Sequence, residues 1–232
     1  MTKRVAIVQS SYIPWKGYFD LIAAVDEFIL FDDVQFTKRD WRSRNRIKTA
    51  QGPQWLSIPC LTKGRMEQLI CETEVANHAW TREHWHAIEL SYRRTPFFHL
   101  YRDQLQALFF QAEELSLLSD INRLLIAGLA GLLGISTPLR DSRTYEPQGR
   151  KTDRLLSICV AAGATVYLSG PSARSYIETE KFSSRDIQVI YADYGDYPEY
   201  SQLYPPFTHE VSVIDLLCNV GQEAPRYMKK LL

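Results

Sequence analysis

Asp32, Asp33 and Gln35 close an apolar run, and a dense cluster of cations follows them directly. Six cations, Lys38, Arg39, Arg42, Arg44, Arg46 and Lys48, fall in eleven residues against one acid, Asp40. Trp41 and Asn45 stand among them. Guanidinium forks match phosphate oxygens in pairs, and an indole offers a face on which a flat ring can stack. A carboxylate beside such a run could take a proton from an amine, bind a ribose or hold Mg²⁺. The plainer alternative is a solvated face, with Asp32 and Asp33 paired to the arginines for about 0–1 kcal/mol each if exposed. The chain as a whole is neutral, with 27 Lys and Arg against 27 Asp and Glu. Positive charge gathered in one place on a neutral chain is suited to an anionic ligand such as a nucleotide or a phosphorylated carrier.

Two turns could share in such a site. Tyr12-Ile13-Pro14-Trp15-Lys16-Gly17-Tyr18 follows the first apolar run, Val5–Gln9. Lys16 and Tyr18 could donate to a phosphate or carboxylate, and Gly17 would let a ligand approach the backbone. The turn could equally be packing, with Trp15 and Tyr18 closing the core. Leu168-Ser169-Gly170-Pro171-Ser172-Ala173-Arg174 follows a second apolar run, Thr165–Ser169. Ser169 and Ser172 could donate hydrogen bonds and Arg174 could fix an anion, or a serine could simply cap a helix start. In open α/β folds ligands bind beyond the carboxyl ends of strands, so both turns are expected to line one cleft with Asp32 and Lys38. Neither is a GxGxxG or a Walker loop.

The elements that must position these residues read as follows. Val5–Gln9 and Glu27–Phe31 are strands around a short helix, Phe19–Ala24, and Trp55–Ile58 is a third strand. Strand, helix, strand in so short a span fits a βαβ unit and a parallel sheet. Residues 80–134 have helical spacing throughout and read as a helical block. Asp141–Asp153, with Pro147 and Gly149, reads as a linker. Lys151–Ala162 is a helix stopped by Gly163. Thr165–Ser169 and Ile187–Ala192 are strands, and Ser212–Asn219 is a late helix stopped by Gly221. The expected architecture is a single α/β domain over 1–232, with a mostly parallel, Rossmann-like sheet and the helical block inserted at about 80–134.

Other classes are disfavoured. Leu124–Ile135, broken by Gly128, Gly131 and Gly134, is too short to span a membrane, and the first dozen residues lack a signal-peptide core. Cys60, Cys71, Cys159 and Cys218 form no CxxC and sit in apolar contexts, as buried thiols in a cytoplasmic protein would. His84 and His86 fall about 200° apart on a helix, and His78, His99 and His209 lack ligand spacing, so no structural metal is expected. No GxSxG elbow is present.

Four segments carry a resemblance. QSSYIPWKGYFDLIAAVDEFILFDDVQFTKRDWRSRNRIK (9–48) resembles the amino-terminal signature of the WbqC-like proteins. YLSGPSARSYI (167–177), YPEYSQLYPPF (197–207) and VSVIDLLCNVG (211–221) resemble that family's carboxyl-terminal pattern. Val211 and Cys218 depart from it, as core changes. The resemblance implies a place in bacterial O-antigen or other surface-polysaccharide (lipopolysaccharide) biosynthesis, at a cytoplasmic step on a nucleotide-linked sugar. It carries site roles onto Gln9, Pro14, Gly17, Tyr18, Asp32, Asp33, Gln35, Lys38, Arg44, Asn45, Ser169, Gly170 and Arg174. A remoter similarity links PWKGY to the HxGH turn of nucleotidylyltransferases and pantothenate synthetases. Trp15 and Tyr18 occupy its two histidine places, which leaves the likeness of fold but counts against adenylyl transfer by that route.

The expectation is therefore a transferase moving an acyl or aminoacyl group from a donor or carrier to the amine of a nucleotide-linked amino sugar. Asp32 or Asp33 would orient or deprotonate the amine, and Tyr18 or Ser169 would polarise the acyl carbonyl. Gln9, Pro14, Lys16, Gly17, Gln35, Lys38, Arg39, Trp41, Arg44, Asn45, Gly170, Ser172 and Arg174 would bind substrate. The alternatives are a non-catalytic nucleotide-sugar-binding or assembly protein, and an ATP-dependent adenylate-forming ligase.

Overall fold

Short runs rich in Val, Ile and Phe are stable as strands only where both faces are covered, and the chain covers them with helices. In the computed structural model, which describes residues 2–229, strand β1 is Arg4–Val8, helix α1 is Lys16–Ala23 and strand β2 is Glu27–Leu30. The ends of the expected 1–232 domain lie outside the described residues. A hairpin of β3 (Arg44–Thr49) and β4 (Gly52–Ser57) follows, then helices α2 (Ala79–Tyr92), α3 (Phe98–Ala112) and α4 (Leu118–Leu132). The chain returns through β5 (Leu139–Asp141), α5 (Lys151–Ala161), β6 (Val166–Ser169), α6 (Thr179–Ser183) and β7 (Gln188–Tyr191) to α7 (Val213–Val220), which a 3-10 turn over Gly221–Tyr227 follows.

The main sheet has five strands in the order β5-β2-β1-β6-β7, and every neighbouring pair is parallel. The period of two sorts its side chains between two cores. Ala6, Phe28, Leu30 and Leu168 pack with α1, the inserted helices and α7. Val5, Ile7, Ile29 and Tyr167 pack with α5 and Phe182 of α6. The chain winds outwards from β1 to β2 and β5, then returns to the other side of β1 for β6 and β7. The direction of winding thus reverses between β1 and β6, and the loops leaving those two strands diverge to opposite faces. A crevice must open there.

Three expectations are corrected. The strand at Trp55–Ile58 is instead β4, which pairs antiparallel with β3 (Arg46 opposite Trp55) in a separate two-stranded sheet. Cations at alternate positions hid β3: Arg44 and Arg46 share one face, while buried Asn45 and Ile47 share the other. The linker at Asp141–Asp153 begins inside β5, an edge strand of three residues too short to show a period. Helix α1 also starts at Lys16, so Lys16 and Gly17 belong to its first turn rather than to the preceding loop.

Candidate functional site

The crevice at the carboxyl ends of β1 and β6 holds two adjoining cavities of about 540 Å³ and 610 Å³. Both are walled by Val8, Trp15, Tyr18, Arg42, Gly170, Ser172 and Tyr194, so they are two lobes of one cleft joined at a waist. The first lobe adds Ser11, Pro14, Trp41, Asn45, Arg46, Pro171, His209 and Glu210. The second adds Gln9, Lys151, Arg154, Ser169 and Tyr176 among its polar walls.

The loop after β1 forms the floor and is held under strain. Ile13 has φ of 33° and is fully buried, a conformation that costs a β-branched residue about 1–3 kcal/mol. Asn45 keeps it there. Its Nδ2 donates to Tyr12 O at 3.0 Å and Ile13 O at 2.9 Å, and its Oδ1 accepts from Arg46 N at 2.8 Å. Val213 N donates to Pro14 O at 2.8 Å and Tyr12 N to Trp41 O at 2.9 Å. Asn122 Nδ2 reaches both Ser10 Oγ and Arg42 O, each at 2.9 Å. Strand β3, helix α4 and helix α7 therefore all brace one loop.

Asp32 lies beneath the floor, accepting from Ser10 N at 2.8 Å. Burial pushes its carboxyl up to about 6, opposed by the Ser10 hydrogen bonds and the Arg42 charge. Asp33 pairs with Arg154 and accepts from the Ser142 hydroxyl, far from its neighbours in sequence. Neither aspartate lines the cleft; each stands behind an arginine that does.

Of the other expected residues, Gln9, Pro14, Tyr18, Trp41, Asn45, Ser169, Gly170 and Ser172 line the cleft. The Tyr18 hydroxyl donates to Gln9 O at 3.1 Å, and Ser169 Oγ lies 3.3 Å from Tyr167 OH. Lys16 does not reach the cleft. It is buried between the rings of Tyr197 and Tyr200, donates to Pro198 O at 3.0 Å, and is lowered to about 8 by burial. Gly17 serves the Trp15 indole rather than a ligand, because a Cβ there would stand 2.3 Å from the ring. Gln35 donates to Met66 O at 2.9 Å, and Lys38 and Arg39 are exposed away from the cleft walls. Arg44 covers the Trp55 ring at 4.2 Å and Arg174 covers Tyr191 at 4.9 Å. The basic run is thus divided: Lys48 is buried and bonded to Pro206 O, while Arg42 and Arg46 face the cleft.

The walls also include Trp15, Arg42, Arg46, Lys151, Arg154 and Tyr194, none of them in the expected set of substrate contacts, although Arg42 and Arg46 belong to the basic run. Tyr194 follows β7, so the strand-end rule already pointed towards its loop. Arg154 shows no such signal, since its place depends on Asp33, which is remote in the chain. Among the described residues no three His, Cys, Asp or Glu side chains gather as metal ligands, and no helix is long and apolar enough to cross a membrane. All four cysteines are free thiols, and burial pushes Cys60 and Cys159 up to about 12. Thiols so far up are poor nucleophiles.

The WbqC-like protein family matches the chain over residues 9–227. The uncharacterized protein Rv1507c of Mycobacterium tuberculosis is 50% identical over 227 residues, covering 98% of each chain. No solved structure matches significantly.

Proposed function

Since the chain belongs to the WbqC-like protein family, we propose that it is a cytoplasmic transferase of bacterial surface-polysaccharide (O-antigen) biosynthesis. Its substrate is a nucleotide-linked amino sugar, and the group moved to the sugar amine is acyl or aminoacyl, brought by a separate donor or carrier. One observation carries the reading. The cleft at the β1/β6 reversal has four cations in its walls, Arg42, Arg46, Lys151 and Arg154, against one carboxylate, Glu210. Arg42 and Arg46 share the first lobe with the aromatic side chains of Trp15, Trp41 and Tyr194. Phosphates with a flat base attached suit such a wall.

Positive walls also serve the chemistry. An amine among cations loses its own proton more readily, and only the neutral amine attacks a carbonyl. The remaining task is alignment, which a rigid floor and two braced arginines can provide. Asp32 and Asp33 then act as positioning residues, through Ser10 and Arg42 in one case and Arg154 in the other. Ser169 is placed to donate to the acyl oxygen, exchanging its long contact with Tyr167. The Tyr18 hydroxyl is already committed to Gln9 O.

The test is a thermal-shift panel followed by mass spectrometry of the bound species. A ligand at a hundredfold excess over Kd stabilises by about 2.7 kcal/mol, roughly 5–6 °C for a chain of this size. Stabilisation by nucleotide sugars, with acyl transfer to an amino-sugar conjugate, supports the transferase. Stabilisation without transfer from any donor would make it a binding protein. Stabilisation by ATP with Mg²⁺ alone would make it a ligase.

A further inference from the structure

The two lobes differ in wall chemistry, and the arginines around them differ in pairing. We infer that the ligand lies across the waist. Its base sits in the lobe walled by Pro14, Trp41 and Pro171, its diphosphate against Arg42, and its sugar in the lobe walled by Gln9, Ser169 and Arg154. This ordering rests on the reading of the cleft as a nucleotide-sugar site.

Arg42 is the cation common to both lobes. Arg46, in the first lobe, is paired with Glu210 at 2.6 Å, and Arg154, in the second, is paired with Asp33. Arg42 has no such carboxylate among the described salt bridges. Its Nη1 donates instead to the neutral amide oxygen Gln9 Oε1 at 2.7 Å. Its Nε is shielded from solvent and has no acceptor among the described residues, as is also true of Arg46 and Arg154, so the missing carboxylate is what sets Arg42 apart. Buried donors are almost always paired, and a guanidinium fork fits two phosphate oxygens at once. The charge at the waist is therefore the one best matched to a dianion. The Asn122 bond to Arg42 O holds the backbone from which the side chain springs.

The ends follow from the walls. Trp41 and the two prolines present flat apolar faces, which favour a stacked base. Gln9, Ser169 and Ser172 present hydrogen-bonding groups suited to sugar hydroxyls. In this order the sugar amine lies in the lobe of Arg154 and Lys151, where positive potential keeps it neutral.

Calorimetric titration separates the parts. The probes are uridine, UDP and UDP-N-acetylglucosamine, with the thymidine and guanosine series beside them, and melting curves accompany each variant. Arg42→Ala should weaken the diphosphate and the sugar conjugate about 10- to 100-fold, while the nucleoside changes less than about twofold. Arg42→Lys should recover part of the loss, since the charge stays and the fork does not. Trp41→Ala should weaken all three members of a series alike. Ser169→Ala should weaken only the sugar conjugate. Equal losses for nucleoside and diphosphate in Arg42→Ala, or undiminished diphosphate binding, would overturn the assignment of the waist. Loss of the conjugate alone in Trp41→Ala would reverse the order and overturn it too. Wild-type protein that binds no member of any series would remove the underlying reading together with this one.

Discussion

Removing the amide of Asn45 should unfasten the floor of the cleft without touching a ligand. Asn45 is only 3% exposed, and its amide bonds to the backbone of Tyr12, Ile13 and Arg46. Asn45→Ala leaves two carbonyls and one N–H buried without partners, each costing about 1–2 kcal/mol. Part of that is recovered as Ile13 relaxes from its left-handed φ, so a net loss of about 2–5 kcal/mol is expected. At roughly 2 °C per kcal/mol for a chain of this length, the melting temperature falls by about 4–10 °C. Asn45→Asp should be at least as damaging at pH 8, because a carboxylate would face two carbonyl oxygens, and should recover towards pH 4 as the carboxyl regains a proton. Differential scanning fluorimetry across pH, with nucleotide-sugar titration beside it, reads both effects. A melting point within about 2 °C of wild type with ligand affinity lost would refute the reasoning, since the amide would then be serving the ligand.

Three further outcomes follow from the same geometry. Gly17→Ala should displace the Trp15 indole, because the added Cβ would lie 2.3 Å from the ring; the expected cost is about 1–3 kcal/mol, with a shift in tryptophan emission. Unchanged emission and stability would mean that the indole has another place to go. Arg44→Ala should leave nucleotide-sugar binding within about twofold, because this guanidinium covers Trp55 outside the cleft; a tenfold loss by calorimetry would return Arg44 to the site. The third concerns pH. Asp32 is raised from 3.8 to about 6, so between those values the folded chain holds a proton that the unfolded chain has released. Its contribution is full below about pH 4 and is lost as pH rises through 6, a change of about 3 kcal/mol. Asp32→Asn should flatten that part of the stability-against-pH curve in urea titrations, and an unaltered slope would contradict the burial argument.

The sheet strands β1, β2, β6 and β7 were legible because each is an apolar run ended by turn residues. The inserted helices were legible because three- and four-residue spacing persists over whole turns. The two turns that flank the cleft could be placed because both follow such strands. What stayed hidden depends on contacts between distant residues. Charge type alone says that a cation needs an anion, not which one: Arg154 finds Asp33, and Arg46 finds Glu210. Lys16 reads as a phosphate ligand until the segment carrying Tyr197 and Tyr200 is seen to bury it. Asn45 reads as a binding group until the strained turn at Ile13 reveals what its amide holds. The strand β3 was masked for the same reason as the clamp was over-read: its cations dominate the local pattern, and the alternation lies beneath them.

The most direct measurement is a crystal structure with a nucleotide-linked sugar bound. The account expects the ligand between the ends of β1 and β6, with diphosphate oxygens about 3 Å from the Arg42 guanidinium. The base should lie against Trp41 and the sugar beside Ser169. Ligand ordered instead at the cavity beside Arg93 and Arg94, with the β1/β6 cleft taken up by solvent at saturating concentration, would contradict it.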